Sequence, residues 1–343
     1  MPEYGLIGEN LIHSFSKKIH GLLGNYEYDL LSLDCEQFRD FFTKRDFKGV
    51  NITIPYKKTV MEYCDVIDQT ALKIGAVNTV VNTGGKLYGY NTDCLGFDFL
   101  IKHNNFDFAD KKVLILGNGG TSNTAEYCSF ENGAKEIVKV SRGGDENFEN
   151  IHRHFDADII VNTTPVGMFP NNLDTPLELG RFKNCSTVID VIYNPFYTKL
   201  LLDASGLGMQ IANGLPMLIA QAKYAGDLFF CKIHDDRVIQ DIKKFLSLEL
   251  LNIVLVGMPS CGKTQAGTAI SKMLCKSFVD TDSLVTKAAG MSIPEIFKTL
   301  GESAFRETES DVILKAGAKN SCVISTGGGA VTDLKNYAPL KQN

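Results

Sequence analysis

Gly257, Ser260, Cys261, Gly262, Lys263 and Thr264 fall in GMPSCGKT, a match to GxxxxGK[ST] between the apolar run LNIVLVG and a helical stretch. Glycines at such a turn let successive backbone N–H groups point inward around phosphate oxygens, at the positive end of a helix. Lys263 would neutralise the outer phosphates, and the Thr264 hydroxyl would bind magnesium. Downstream, FVDTD places Asp280 and Asp282 two apart at the end of a β-type run. Alternation then puts both carboxylates on one side, near the phosphate loop. One would hold magnesium through water, and the other would accept a proton from an attacking hydroxyl.

A second glycine turn, Gly117-Asn118-Gly119-Gly120-Thr121-Ser122, follows the apolar run KKVLILG. It departs from GxGxxG, with Ser122 at the third glycine, and reads as a dinucleotide turn at the start of a helix. The next β-type run ends in Ser141-Arg142, where an acidic residue would hold a ribose 2′-hydroxyl. Arg142 suits a 2′-phosphate instead, which favours NADP over NAD; Asp145 and Glu146 work against that, and a surface arginine at a strand end is the plain alternative.

Lys57 follows GVNITIPY, and Asp93 ends YNTD. A lysine held beside an aspartate can donate or accept a substrate proton while hydride moves to or from a nicotinamide. Spacing alone does not pair these two, and a solvated loop lysine is the default.

These residues need elements to hold them. Short β-type runs alternate with helical segments almost throughout, the pattern of open α/β sheets. YGLIG, YDLLSLD and GVNITI read as strands, and Thr83-Gly84-Gly85 marks a hairpin between two more. A helix starts near Asp93 and carries Leu95, Phe99 and Leu100 inward. Further strands are expected at 111–117, 136–141, 157–164 and 186–192, with long helices near 215–230 and 235–250. A third series starts at Leu251 and continues in SFVDTD and CVISTGGG, three strands in all.

The 343 residues suit two or three domains, and 44% hydrophobic with 22% charged residues is ample for packed cores. A net charge of −5 argues against a general nucleic-acid binder or a polybasic membrane protein. Nine scattered cysteines without a CxxC pair speak for free thiols in a reducing cytoplasm. Neither a membrane span nor a signal core is visible, so the expected location is cytoplasmic.

Residues 4–230 resemble shikimate dehydrogenase in motif after motif: GENLIHSFSKKIH, GVNITIPYK, GAVNT, GYNTDCLGF, NTTPVGM, DVIYNP and NGLPMLIAQA. The resemblance implies an α/β substrate domain, residues 1–98 with helices 214–248 returning to it, and a Rossmann-like NADP domain over 99–213. It implies Lys57 and Asp93 as catalytic residues, and shikimate bound by Ser14, Ser16, Asn51, Thr53, Asn78, Asp93, Tyr193 and Gln221. NADP(H) would contact Gly117, Asn118, Gly119, Gly120, Thr121, Ser141, Arg142, Thr163, Val191, Gly214 and Met217. Asn10 and Lys17 stand where that family usually has proline, and Ser141-Arg142-Gly143 replaces its usual Asn-Arg-Thr.

Residues 251–331 are similar to the first half of shikimate kinase, a small P-loop kinase, through GMPSCGKT, FVDTD, SIPEIF…GESAFRETE and STGGGA. The similarity implies ATP on residues 257–264, Mg2+ on Thr264 and Asp280, and shikimate on Asp282, Arg306, Gly327, Gly328 and Gly329. Glu309 would orient Arg306, an ordinary i,i+3 surface pair being the alternative. The family continues beyond this point with further strands, a lid arginine and an adenine site, so 249–343 reads as a partial domain, inactive as it stands.

The sequence therefore predicts a fused enzyme reducing 3-dehydroshikimate to shikimate with NADPH, followed by a partial kinase. Its partners would be these small molecules, with no nucleic acid or membrane, in a monomer or homodimer. The alternatives are an NAD-using quinate/shikimate dehydrogenase, a non-catalytic shikimate- or nucleotide-binding module, and a kinase-like segment that only docks or binds ATP.

Overall fold

The computed structural model describes residues 2–9, 11 and 14–343. Asn10, with part of the GENLIHSFSKKIH segment, lies outside the described residues. The chain divides into two compact units, one of residues 1–164, 180–191 and 209–244, the other of 165–179, 192–208 and 245–343.

The first sheet of the first unit uses β1 (Tyr4–Gly8), β2 (Asp29–Ser32), β3 (Gly49–Ile52), β4 (Val66–Ile67), β5 (Thr79–Thr83) and β6 (Lys86–Tyr90) in the order β2-β1-β3-β5-β6-β4. β1 pairs in parallel with β2 and β3, whereas β5 runs antiparallel to both β3 and β6. Thr83 faces Lys86, so Gly84 and Gly85 alone make the hairpin turn, and both have positive φ, 62° and 83°. That conformation is open to glycine at no steric cost.

Helices α1 (Ser16–Leu23), α2 (Cys35–Lys44) and α3 (Gln69–Ile74) belong with this sheet. α2 begins at Asp34, whose side chain accepts from Glu36 N and Gln37 N while Gln37 reaches back to Asp34 N. Its inner face is aromatic: Phe38, Phe41 and Phe42 pack with Phe47 and Tyr56 on Val50 and Ile52. Truncating Phe38 to alanine would cost about 3–5 kcal/mol.

The second sheet is wholly parallel: β7 (Lys112–Leu116), β8 (Glu136–Val140), β9 (Ile159–Asn162), β10 (Thr187–Asp190) and β11 (Gln210–Ala212), ordered β11-β10-β9-β7-β8. Val113, Leu114, Ile115 and Leu116 have no exposed surface, as a strand covered on both faces requires. In the sheet's own count the order is 2-1-3-4-5, with the topological switch between β7 and β9. The first unit's helices in this part of the chain are α4 (Thr92–His103), α5 (Gly120–Glu131) and α7 (Leu215–Phe230); α6 (Lys199–Gly206) belongs to the second unit, and α8 (Arg237–Leu250) follows α7.

α4 crosses α7 where Gly96 meets the Met217 carbonyl and Gln221, so closely that a Cβ on Gly96 would come within 2.6 Å. This fixes the phase of α4. Gly96, Phe97, Leu100 and Ile101 face inward, while Leu95, expected inside, is 45% exposed and Phe99 only half-buried.

The second unit holds β12 (Ile253–Leu255), α9 (Lys263–Met273), β13 (Ser277–Asp280), α10 (Thr281–Ala289), α11 (Ile293–Thr299), α12 (Gly301–Gly317), β14 (Cys322–Ser325) and α13 (Tyr337–Lys341). Its parallel sheet has the order β12-β14-β13. β13 ends at Asp280, which caps α10 by accepting from Ser283 N. The expected strand alternation of Asp280 and Asp282 is therefore corrected: Asp282 lies in the first turn of a helix. Among the described residues no helix is long and apolar enough to cross a membrane.

Candidate functional site

In the first unit, five parallel strands deliver one residue each to a common edge. Gly117 follows β7, Ser141 follows β8, Thr163 follows β9, Val191 follows β10, and Gly214 comes two residues after β11. Ligands of open parallel sheets bind at this carboxyl edge, at the switch point, here between Gly117 and Thr163.

The packing there demands glycine. Gly117 has φ 117°, and a Cβ on it would lie 2.5 Å from Thr163 Oγ1, which itself donates to Leu116 O at 2.6 Å. A Cβ on Gly214 would collide with Val191 O at 1.9 Å. Gly119 caps α5 and has open space beside it, so the helix start is free to receive a pyrophosphate. Asn118 is exposed, Thr121 half-buried, and Met217 is buried in the core at the start of α7. Ser122 Oγ donates to Gly117 O at 2.8 Å, tying the turn closed where a third glycine was expected.

Arg142 is exposed in the turn after β8. The carboxylate of Glu146, which the sequence set against a phosphate there, is taken by His154 at 3.0 Å and Arg153 at 3.8 Å. Among the described residues Arg142 has no ion-pair partner. These features fit a dinucleotide carrying a 2′-phosphate.

Lys57 Nζ lies 2.6 Å from Asp93 Oδ2, with side-chain exposures of 16% and 12%. The default of a solvated loop lysine is thus replaced by a sheltered ion pair. Lys57 sits in the turn after β3, anchored by its carbonyl accepting from Val77 N at 2.9 Å; Asp93 is in the first turn of α4, which Asn91 caps through Cys94 N. The Lys57 Cδ also lies 3.7 Å from where a Cβ of Gly120 would be, so the ammonium stem passes beside the start of α5.

Next to this pair is a buried polar cluster. Asn78 Oδ1 accepts from Thr92 N at 2.6 Å, Thr79 Oγ1 at 3.1 Å and Thr92 Oγ1 at 3.2 Å. Its oxygen is saturated, which leaves the amide hydrogens for a ligand. Asn51 donates to Thr79 Oγ1 at 2.9 Å and Asn78 O at 3.4 Å, and its Oδ1 accepts from the Tyr28 hydroxyl at 2.7 Å. Thr53 is held to β1 through Ile7 O at 2.8 Å. Ser14 Oγ accepts from Ser16 N at 3.2 Å, and Gln221 Nε2 donates to Leu218 O at 3.0 Å. Tyr193 belongs to the second unit, where burial raises its pKa.

Sequence reading missed Thr79, Thr92 and Tyr28. The repeated Asn-Thr of GAVNT and GYNTD was the available signal, because the β5–β6 pairing opposes Thr79 to Tyr90 and brings the two dipeptides together.

In the second unit, GMPSCGKT turns between β12 and α9, with φ of 156° at Gly257 and 89° at Gly262. Lys263 Nζ donates to Gly257 O and Met258 O, both at 2.8 Å. Thr264 Oγ1 donates to Asp280 Oδ2 at 3.0 Å. Among the described residues no three His, Cys, Asp or Glu side chains form a metal cage. One hydroxyl and one carboxylate still suit Mg2+, which takes its remaining ligands from water and phosphate.

The loop opens on a cavity of about 570 Å³ lined by Asp282, Arg306, Glu309 and Gly327–Gly329. The glycines keep the cavity wall close: a Cβ would lie 2.6 Å from the Pro259 ring at Gly328, and at Gly327 and Gly329 it would push aside the Glu309 carboxylate and the Arg306 guanidinium, each 2.5 Å away. Arg306 pairs with Glu309 at 2.8 Å and Glu302 at 3.3 Å, and Glu309 is 1% exposed, so this is no surface pair. Burial and Asp280 raise the Asp282 pKa, with Lys263 opposing them.

A glycine turn at the edge of a parallel sheet, with a sheltered lysine–aspartate pair beside its helix, defines a dinucleotide-binding α/β protein. The comparisons then specify the family. Residues 6–80 match the family model for the shikimate dehydrogenase substrate binding domain, and residues 259–343 match that for shikimate kinase. A shikimate dehydrogenase (NADP(+)) of Clostridium beijerinckii is 38% identical over 249 residues, 67% of this chain and 92% of that protein. The crystal structure of shikimate dehydrogenase 1 from Peptoclostridium difficile superposes with a TM-score of 0.67 at 34% identity, over 73% of this chain and 99% of that one. The Thermus thermophilus shikimate 5-dehydrogenase in complex with NADP(H) and shikimate gives 0.65 at 25% identity, over 71% and 99%. The chain belongs to the shikimate dehydrogenase family and carries a shikimate-kinase-like segment after it.

Proposed function

We propose that this chain reversibly reduces 3-dehydroshikimate to shikimate with NADPH. The observation that carries the reading is the 2.6 Å Lys57–Asp93 pair beside the first residue of α5. NADPH, when bound, supplies the hydride. Lys57 gives its proton to the substrate oxygen as the ketone becomes an alcohol, and Asp93 keeps the ammonium aimed and binds the neighbouring hydroxyl. The Asn78 amide hydrogens hold a ring hydroxyl. The family resemblance supports Ser14, Ser16, Asn51, Thr53, Tyr193 and Gln221 as the remaining substrate contacts, and Gly117–Thr121, Ser141, Arg142, Thr163, Val191, Gly214 and Met217 as the cofactor contacts. It also supports the domain limits 1–98 with 214–248, 99–213 and 249–343.

For the second site we propose ATP on the 257–264 loop, Mg2+ on Thr264 and Asp280, and shikimate on Asp282, Arg306 and the three glycines, with little turnover. The cationic side chains lining this cavity are Lys263 and Arg306, and Arg306 is already neutralised by two glutamates. One lysine and a metal give weak compensation for the charge of a transferring phosphoryl group.

The test is NADP reduction by shikimate, run in parallel with NAD and with quinate, alongside shikimate-dependent ADP release. Absence of shikimate oxidation with either cofactor would refute the first proposal. Sustained ADP release, abolished by Lys263→Ala, would refute the second.

A further inference from the structure

His20 on α1 has no exposed surface. Its Nδ1 lies 2.5 Å from the Tyr26 hydroxyl, and its Nε2 is buried with no partner at normal hydrogen-bond geometry, the Asn51 side chain being the polar group near the ring. Its ring stacks on Tyr28 at 3.8 Å and 8°, with Phe229 beyond at 6.1 Å. Burial lowers its pKa to about 3, so the ring is a neutral plate at any working pH.

Tyr28 is itself 2% exposed and spends its hydroxyl on Asn51 Oδ1 at 2.7 Å. The two ends of an Asn amide have nearly the same shape, and only their partners decide which end is which. Reversed, Asn51 would present oxygen to Thr79 Oγ1, which now accepts from it, and the Thr79–Asn78–Thr92 set would lose its order. That set ends at Thr92, the residue before Asp93.

We infer that Tyr28 and His20 are positioning residues for the shikimate ring: Tyr28, held flat by His20, fixes the Asn51 amide, and Asn51 fixes Asn78 and Thr79 beside Asp93. The inference rests on the proposal that Asn78 and Asp93 hold shikimate.

The test uses the full chain and initial rates in both substrates. Tyr28→Phe keeps the stacked ring and removes only the donor. It should raise KM for shikimate about tenfold, the scale of one lost buried hydrogen bond, with kcat and KM for NADP within twofold. His20→Leu, which removes the plate and leaves the hydroxyl, should shift KM for shikimate in the same direction. Asn51→Ala combined with Tyr28→Phe should be no more than twofold worse than Asn51→Ala alone, because both act through one amide. An unchanged KM for shikimate in Tyr28→Phe overturns the inference, as does a parallel loss for both substrates or full multiplicativity in the double variant. Should Asn51→Ala not fold, the KM split in Tyr28→Phe decides. A wild-type chain without shikimate oxidation would instead sink the functional reading itself.

Discussion

The Lys57 ammonium and the Asp93 carboxylate meet at 2.6 Å although one follows a strand of the first sheet and the other opens α4. Two separate backbone anchors hold them, the Lys57 carbonyl on Val77 N and the Asn91 cap on Cys94 N. Lys57→Ala should lower kcat for shikimate oxidation by roughly 10²–10⁴, the range of a lost general acid–base group, with KM changed by only a few-fold. Steady-state rates on the folded variant check this; a kcat within threefold of wild type would rule Lys57 out as the proton carrier.

Arg142 is exposed and unclaimed by acidic neighbours among the described residues. Arg142→Gln should raise KM for NADP about tenfold and leave KM for NAD nearly unchanged, since the lost contact is to the 2′-phosphate alone. Equal effects on the two cofactors would place the 2′-phosphate elsewhere.

His20 predicts a pH dependence of stability. Its folded pKa is near 3 and its unfolded value near 6.5. Between those values the unfolded chain binds a proton that the folded chain does not, so stability falls as pH drops below about 6.5, by up to about 1.4 kcal/mol per unit. Thermal unfolding from pH 7.5 to 4.5 should show this slope in the wild type and a shallower one in His20→Phe. Identical slopes would mean that the ring does take up a proton in the folded state.

Asp282 acts in the opposite sense on the acid side. Its raised pKa means that the folded state holds the proton more tightly, so its contribution worsens as pH rises above the ordinary carboxylate range. Asp282→Asn should stabilise the second unit at pH 7, with the gain fading as pH falls into the carboxylate range, while abolishing the proposed shikimate binding there. Calorimetry read together with ligand titration tests both halves.

Gly329→Ala should remove shikimate binding from the second site without unfolding it, because the added methyl would lie 2.5 Å from the Arg306 guanidinium and displace that flexible side chain. Isothermal titration of the full chain, with the first site's turnover as an internal control, reports the loss.

Both glycine loops were legible because their signals are local: an apolar strand, glycines at positive φ, then a helix. The same locality misled at Asp282. Two acids two residues apart look alike whether the second ends a strand or opens a helix, and only the Asp280–Ser283 N cap settles it. Leu95 was misplaced for a tertiary reason, since the phase of α4 is set by the close approach of Gly96 to α7, residues distant in sequence. Tyr28 was invisible for the same reason. Its role depends on Asn51, 23 positions away, and no spacing rule links them.

Lys263, finally, donates to the loop's own carbonyls of Gly257 and Met258. The loop is thus latched by the charge that would greet a nucleotide. An incoming anion must outcompete two neutral oxygens, which dilute monovalent ions do poorly and a terminal phosphate does well. Releasing the ammonium therefore means breaking both carbonyl contacts, and the turn loses its internal tie at the moment its charge is used elsewhere.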